Sequence, residues 1–250
     1  MIPKIIHYCW FGKKEMPDLA LKCIDSWKKY LPDYELRLWN EDTFDLDMYP
    51  YTREAYDKRK FAFVTDVVRL WALEKFGGVY MDTDVEILRP LGNLMDLPAF
   101  TGYEASMSNA PVTGLMASAP HGVWVTEQLE YYKGHHFVQE DGSLDMTTNT
   151  ITIARIMEQN GFVINGQYAV YKDDMHIFPV DYFCPLTSTR VLKITSNTYC
   201  IHHFAGSWVE RTRWQKCKQY IIQHILGTKY TDRLIQIKRR MLGKRSNGAK

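Results

Sequence analysis

Apolar positions recur most regularly between Phe61 and Phe76. Phe63, Val67, Leu70, Trp71 and Leu73 fall at helical spacing, and Gly77 marks the helix end. A short apolar run, Val79 to Met81, follows and predicts a buried strand. Upstream, Lys4 to Trp10 predicts a first buried strand stopped at Phe11-Gly12. Pro17 to Tyr30 places Leu19, Cys23, Ile24 and Trp27 on one helix face, and Tyr34 to Trp39 alternates as a second strand. A further helical region begins over Arg53 to Lys60. Strand–helix–strand alternation of this kind predicts an α/β fold with a mostly parallel sheet covered by helices. Ligands of such sheets gather at the carboxyl ends of the strands, where Trp10 and Asp82-Thr83-Asp84 both fall.

The pattern weakens downstream. Pro98 to Gly122 reads as loop-rich. Val123 to Lys133 and Thr150 to Asn160 read as helices, and Lys172 to Pro185 as irregular chain with aromatic anchors. Tyr199 to Phe204 predicts a late strand ending in a polar site. From Val209 the chain reads as basic helix, broken near Gly227 and frayed after Gly243. No internal repeat or low-complexity linker interrupts it. The expected organisation is a body over residues 1–210 and a basic helical extension over 211–250.

Charge sharpens that division. The 250 residues carry a formal net charge of +2, but twelve Lys or Arg and a single acid, Asp232, lie in residues 211–250. Of the 31 bases and 29 acids in the chain, 19 and 28 therefore fall in residues 1–210. So acidic a body does not favour nucleic acid as a partner. Trp214, Ile221, Ile222, Ile225, Leu234, Ile237 and Leu242 sit among the basic residues of the extension. They suggest peripheral contact with the inner face of a membrane, against the plainer reading of a solvated helix packed on the body. No run is long enough to span a bilayer, and the N-terminus lacks a signal-peptide core. Cys9, Cys23, Cys184, Cys200 and Cys217 follow no metal-binding spacing and read as free thiols of a cytoplasmic protein.

The chemistry centres on Asp82 and Asp84. Two carboxylates one residue apart after a buried strand repel each other where desolvation is costly, and a divalent cation with hard oxygen ligands removes that cost. The plain alternative is a surface turn, which is the reading for Asp45-Leu46-Asp47. Asp66 and Arg69 share a helix face. They are either an ordinary ion pair or a set of donors and acceptors for sugar hydroxyls over the same strand end. Trp10 is either core or a stacking platform for a base. In His202-His203-Phe204-Ala205-Gly206-Ser207-Trp208, adjacent histidines on a strand face opposite ways, so one at most reaches a metal. Gly206 lets backbone approach a phosphate, and Ser207 and Trp208 offer hydrogen-bond donors.

Together these segments resemble glycosyltransferase family 32, which includes bacterial capsular and surface-polysaccharide transferases and yeast outer-chain mannosyltransferases. The run Phe63 to Asp84 looks like its sugar-binding DXD region, Ile2 to Gly12 is similar to the start of its bacterial members, and His202 to Trp208 to their C-terminal site. The resemblance spans residues 1–210. It implies a GT-A, Rossmann-like mixed and mostly parallel sheet flanked by helices, and retention of anomeric configuration. It also implies a cofactor, Mn²⁺ (or Mg²⁺), on Asp82, Asp84 and His203, with His202 as the alternate. Asp66, Arg69, Asp82 and Asp84 are the implied catalytic set. Trp10, Asp66, Arg69, Tyr80, Asp82, Gly206, Ser207 and Trp208 are expected around the nucleotide sugar. The expected activity moves a hexose or N-acetylhexosamine from a nucleotide sugar, a UDP-sugar before GDP-mannose, to a glycan or lipid-linked oligosaccharide acceptor in surface polysaccharide synthesis. A nucleotide-sugar-binding module without turnover and a metal-dependent phosphohydrolase are the rival readings.

Overall fold

The computed structural model describes residues 1–104, 110–187 and 191–206. In chain order the elements are β1 (Ile5–Cys9), α1 (Asp18–Tyr30), β2 (Glu35–Trp39), α2 (Pro50–Asp57), α3 (Phe61–Phe76), β3 (Gly78–Met81) and β4 (Val85–Ile87). There follow β5 (Ala99–Gly102), β6 (Leu115–Ser118), α4 (Val123–Glu130), α5 (Asn149–Gln159), β7 (Ala169–Tyr171), β8 (Met175–Phe178), α6 (Val180–Phe183) and β9 (Cys200–His202). Seven strands form one sheet in the order β2-β1-β3-β6-β5-β8-β7. The parallel pairs are β1 with β2, β1 with β3 and β5 with β8. Strands β6 and β7 run against the other five, so the sheet is mixed and mostly parallel, as expected.

Period-two alternation divides two cores across this sheet. Val79 and Met81 of β3, Phe100 of β5 and Leu115 and Ala117 of β6 pack with Cys23, Ile24 and Trp27 of α1. On the other face Tyr80, Met116 and Ala99 meet Val67, Leu70 and Trp71 of α3, with Trp124 and Val125 of α4 and Ile153 and Met157 of α5 behind. Helix α3 lies between the sheet and its neighbours, which is why it is apolar on nearly every side. Asp66 and Arg69 are its two buried charged residues.

The paired glycines have a steric cause. Gly77 ends α3 at φ 61° and Gly78 opens β3 at φ 111°, so the chain turns directly from helix into central strand. A Cβ on Gly78 would lie 2.6 Å from the Ile5 carbonyl oxygen and 3.1 Å from Nε2 of His7. His7 is fully buried there. Its Nδ1 accepts from the Trp39 indole at 3.1 Å, which leaves Nε2–H to donate to the Gly77 carbonyl at 2.7 Å. Burial holds its pKa down at about 4.

Several expectations need correction. The stretch from Pro98 to Gly122 contains β5 and β6, near the middle of the sheet, rather than loop alone. Lys172 to Pro185 contains β8 and α6. The late strand shortens to Cys200–His202 and pairs antiparallel with β4 in a separate two-stranded ribbon. Helix α2 begins at Pro50 rather than Arg53, because Pro takes the first helical turn readily. Cys9, Cys23, Cys184 and Cys200 are buried thiols outside any disulfide. Among the described residues no helix is long and apolar enough to cross a membrane. The basic extension 211–250, Cys217, Ser207 and Trp208 lie outside the described residues.

Candidate active site

The site is assembled at the carboxyl end of β3. The Asp82 amide continues the sheet by donating to the Gly114 carbonyl at 2.8 Å. The Val85 amide then returns to the Asp82 carbonyl at 2.9 Å, making a tight turn that carries both aspartates. Ribbon partner β9 brings in the histidines. Here the alternation decides between them. His202 Nε2 lies 3.3 Å from Asp84 Oδ1 and 3.8 Å from Asp82 Oδ2. His203 turns to the opposite face, where its Nε2 is 2.8 Å from Glu86 Oε2. The geometry therefore favours the alternate, His202, over His203 as the imidazole beside the aspartates.

Asp82, Asp84 and His202 each offer a ligand atom within 4.8 Å of the others. The backbone leaves room for this set. A Cβ on Gly114 would lie 2.8 Å from Asp82 Oδ2 and 3.1 Å from His202 Cε1, so a larger residue there would press on two of the three side chains. Two carboxylates and one imidazole are a donor set that fits a divalent cation. Burial opposes charge on both Asp84 and His202, yet each keeps the other ionised. Hydrogen bonding to His202 and to the Ala205 amide (2.7 Å) holds the Asp84 carboxyl below its ordinary range, and His202 stands well above 6.5.

Arg69 organises the other half. Its Nη2 lies 3.3 Å from Asp66 Oδ1 and 3.3 Å from Asp82 Oδ1. Its Nε donates to the Thr65 carbonyl at 3.2 Å, and its guanidinium sits 4.7 Å from the centre of the Tyr80 ring. The Tyr80 hydroxyl donates to Asp82 Oδ1 at 2.9 Å. Asp66 Oδ2 accepts from the Asn149 amide, the first of α5, at 3.2 Å. Burial nonetheless pushes the Asp66 carboxyl up to about 7, against the pull of Arg69 and that amide. The structure thus brings Asp66, Arg69, Tyr80, Asp82, Asp84 and His202 into one cluster. Trp10 stands at the end of β1, half-exposed, its indole N–H donating to the Lys14 carbonyl at 2.5 Å. Gly206 follows Ala205 with φ 60°.

Sequence reasoning missed Asn149, Gly114, Glu86 and the Ala205 amide. Asn149 had a visible signal, since Thr147-Thr148-Asn149 is a polar run at a helix start. Glu86 continues the alternation of Asp82 and Asp84. Nothing local to Gly114 points to the site, and Ala205, though inside the His202 to Trp208 run, has no polar side chain to mark it.

Residues 17–101 match the family model described as the glycosyltransferase sugar-binding region containing DXD motif, a match that includes Asp66, Arg69, Asp82 and Asp84. Inositol phosphoceramide mannosyltransferase 3 of Schizosaccharomyces pombe is 37% identical over 141 residues, covering 55% of this chain and 35% of that protein. Mannosyl phosphorylinositol ceramide synthase CSH1 of Saccharomyces cerevisiae is 30% identical over 148 residues, covering 55% and 38%. The chain thus spans little more than a third of the length of these relatives. They are fungal, where the sequence resemblance pointed to bacterial polysaccharide transferases. Among solved structures, PaToxG Glycosyltransferase aligns over 64% of this chain and 70% of its own at 19% identity and a TM-score of 0.46.

Proposed function

We propose that this chain transfers a hexose from a nucleotide sugar to a glycan or lipid-linked acceptor, with a divalent cation held by Asp82, Asp84 and His202. The observation that carries this reading is the single cluster in which Arg69 bridges the sugar-facing Asp66 to the cation-facing Asp82. The relatives named above are mannosyl enzymes of inositol phosphoceramide. Mannose is therefore the first sugar to test and a phosphate-bearing glycolipid the first acceptor, ahead of the UDP-sugar and surface polysaccharide expected from sequence.

When bound, the cation would neutralise charge on the departing diphosphate. Asp66 and Arg69 set an acceptor beside a donor, which suits neighbouring sugar hydroxyls. Arg69 and Tyr80 hold Asp82 in place, and the Ala205 amide does the same for Asp84. Burial of Asp66 and Arg69 keeps water from competing for the same hydroxyls. In this reading the acceptor oxygen bonds to the anomeric carbon on the face from which the diphosphate leaves. The bond from that carbon to the phosphate oxygen breaks, and the acceptor proton passes to the departing oxygen. A trapped covalent adduct between sugar and protein would overturn that route.

The test is release of nucleoside diphosphate from GDP-mannose and a panel of UDP-sugars with Mn²⁺, comparing wild type with Asp84→Asn. Release from one donor should fall about a hundredfold or more in the variant, equivalent to roughly 3 kcal/mol of lost charge stabilisation. Donor binding without release would favour a binding module, and release of inorganic phosphate without an acceptor would favour a phosphohydrolase.

A further inference from the structure

A second charged feature lies at the same end of the sheet. Residues 1–210 hold 28 acids against 19 bases, yet Lys13, Lys14, Lys58, Arg59 and Lys60 crowd two short segments. The fold joins those segments. Gly12, just past β1, packs so closely on the first residue of α3 that a Cβ there would lie 2.4 Å from the Phe61 ring. Tyr56 packs against Phe61 with the rings tilted by 54° and their centres 5.4 Å apart. Glu41 ties both sides together, accepting from the Gly12 amide at 2.6 Å and the Tyr56 hydroxyl at 3.0 Å. The β1–α1 loop and the α2–α3 turn are therefore one surface, bordering Trp10.

Two observations separate this rim from an ordinary solvated face. The neighbouring Arg53 is paired, at 2.6 Å with Asp47 and 3.7 Å with Asp57, whereas none of the five rim cations forms an ion pair among the described residues. Lys13 and Arg59 also both hold left-handed backbone at φ 57°, a conformation that glycine or asparagine takes more cheaply. Cations thus occupy two turn positions that local backbone preference would give to other residues. Glu41 offsets part of the Lys13 charge, and the like charges that remain repel one another unless a partner supplies the opposite charge.

We propose that this rim seats the phosphate of an anionic lipid headgroup at a bilayer surface, bringing a lipid acceptor to the strand end where Asp66 and Asp82 lie. The proposal deepens the transferase reading and rests on it for the identity of the lipid as acceptor. The nucleotide diphosphate does not need these cations, because Asp82, Asp84 and His202 would already hold a divalent ion for it. Phosphate is the matching chemistry because lysine ammonium groups neutralise it as point charges and arginine binds it through a bidentate fork.

The experiment compares the full chain with a variant carrying Lys13→Asn, Lys14→Ser, Lys58→Ser, Arg59→Asn and Lys60→Ser. Asparagine suits the two left-handed positions, and an unchanged melting temperature checks the fold. Sedimentation with phosphatidylcholine vesicles, with and without phosphatidylinositol, is read beside nucleoside diphosphate release in the absence of lipid acceptor, with water taking the sugar. Residues 211–250 are the same in both proteins, so any difference belongs to the rim. We expect affinity for the phosphatidylinositol vesicles to fall roughly tenfold or more, with a shallower salt dependence. Sedimentation with neutral vesicles and donor release should both stay at the wild-type level. Equal binding of both proteins to the anionic vesicles would overturn the proposal, as would a loss of donor release in the variant, which would assign the cations to the nucleotide. Absence of release from both proteins would instead count against the transferase reading, while the vesicle comparison would still decide the rim.

Discussion

Arg69 concentrates the energetics of the site in one side chain. It lies between two carboxylates, above an aromatic ring, in a helix with little access to water. Removing one partner of such a set is costly because the remaining charges stay buried and unpaired. Arg69→Ala should therefore lower stability in urea unfolding by about 3 kcal/mol and abolish donor release. Arg69→Lys should recover part of the stability and little of the activity, since an ammonium cannot reproduce the planar fork. His202 makes a different prediction. Its charged form is favoured by Asp84 and Asp82 until a cation displaces the proton. Cation affinity should then weaken as pH falls, by up to about tenfold per unit, with about one proton released on binding. Calorimetric titration in two buffers of different ionisation heat measures that proton directly, and a buffer-independent heat would refute it. At this scale the sequence was informative. The three-residue spacing of Asp66 and Arg69 and the two-residue spacing of Asp82 and Asp84 singled out each pair, and the family resemblance joined the two pairs into one set. Opposite-facing neighbours limited the histidines to one without saying which, because that depends on the register Val85 to His202 across a separate ribbon.

At the scale of elements, the β4–β9 ribbon is the part that sequence periodicity could not supply. Three-residue strands carry too few positions to establish a period, and the partners lie far apart in the chain. The outer edge of β4 is satisfied by side chains from α1: the Trp27 indole donates to the Val85 carbonyl at 2.7 Å, and the Ile87 amide donates to Ser26 Oγ at 2.9 Å. Lys22 and His203 both reach Glu86, at 3.1 and 2.8 Å. Glu86 thus braces the ribbon that carries Asp84 and His202 without touching a ligand itself. Glu86→Ala should weaken cation binding about tenfold with little change in melting temperature, and Glu86→Gln should restore most of it. Equal cation affinity in all three proteins would show the brace to be dispensable. Strands β5 and β6 escaped notice for another reason. Both are four buried residues covered on two faces, so no polar alternation marks them, and the small residues Ala, Thr, Gly and Ser resemble loop composition. Helix α3 was legible end to end because sixteen residues give a period room to appear and glycine closes it.

For the whole molecule, His7 links the central sheet to acidity. Its folded pKa near 4 lies below the ordinary 6.5, so the unfolded chain binds more protons between those values. The stability it contributes is complete above about pH 6.5 and declines as pH falls toward 4, by roughly 3 kcal/mol in all. Denaturant unfolding across that range should show the decline, and His7→Gln, which can keep both hydrogen bonds, should flatten it relative to wild type. Parallel slopes would mean that other groups govern acid unfolding.

The ribbon also sets an order of events at the ribosome. Asp82 and Asp84 emerge early in synthesis, while their imidazole partner lies about 120 residues further on, on the order of ten seconds later at about 5–20 residues per second. On the proposed reading, the nascent chain would until then offer a cation only two aspartates, a weak ligand set, and the segment 17–101 would on its own lack the imidazole as well. Competence would then arrive only once the ribbon has formed.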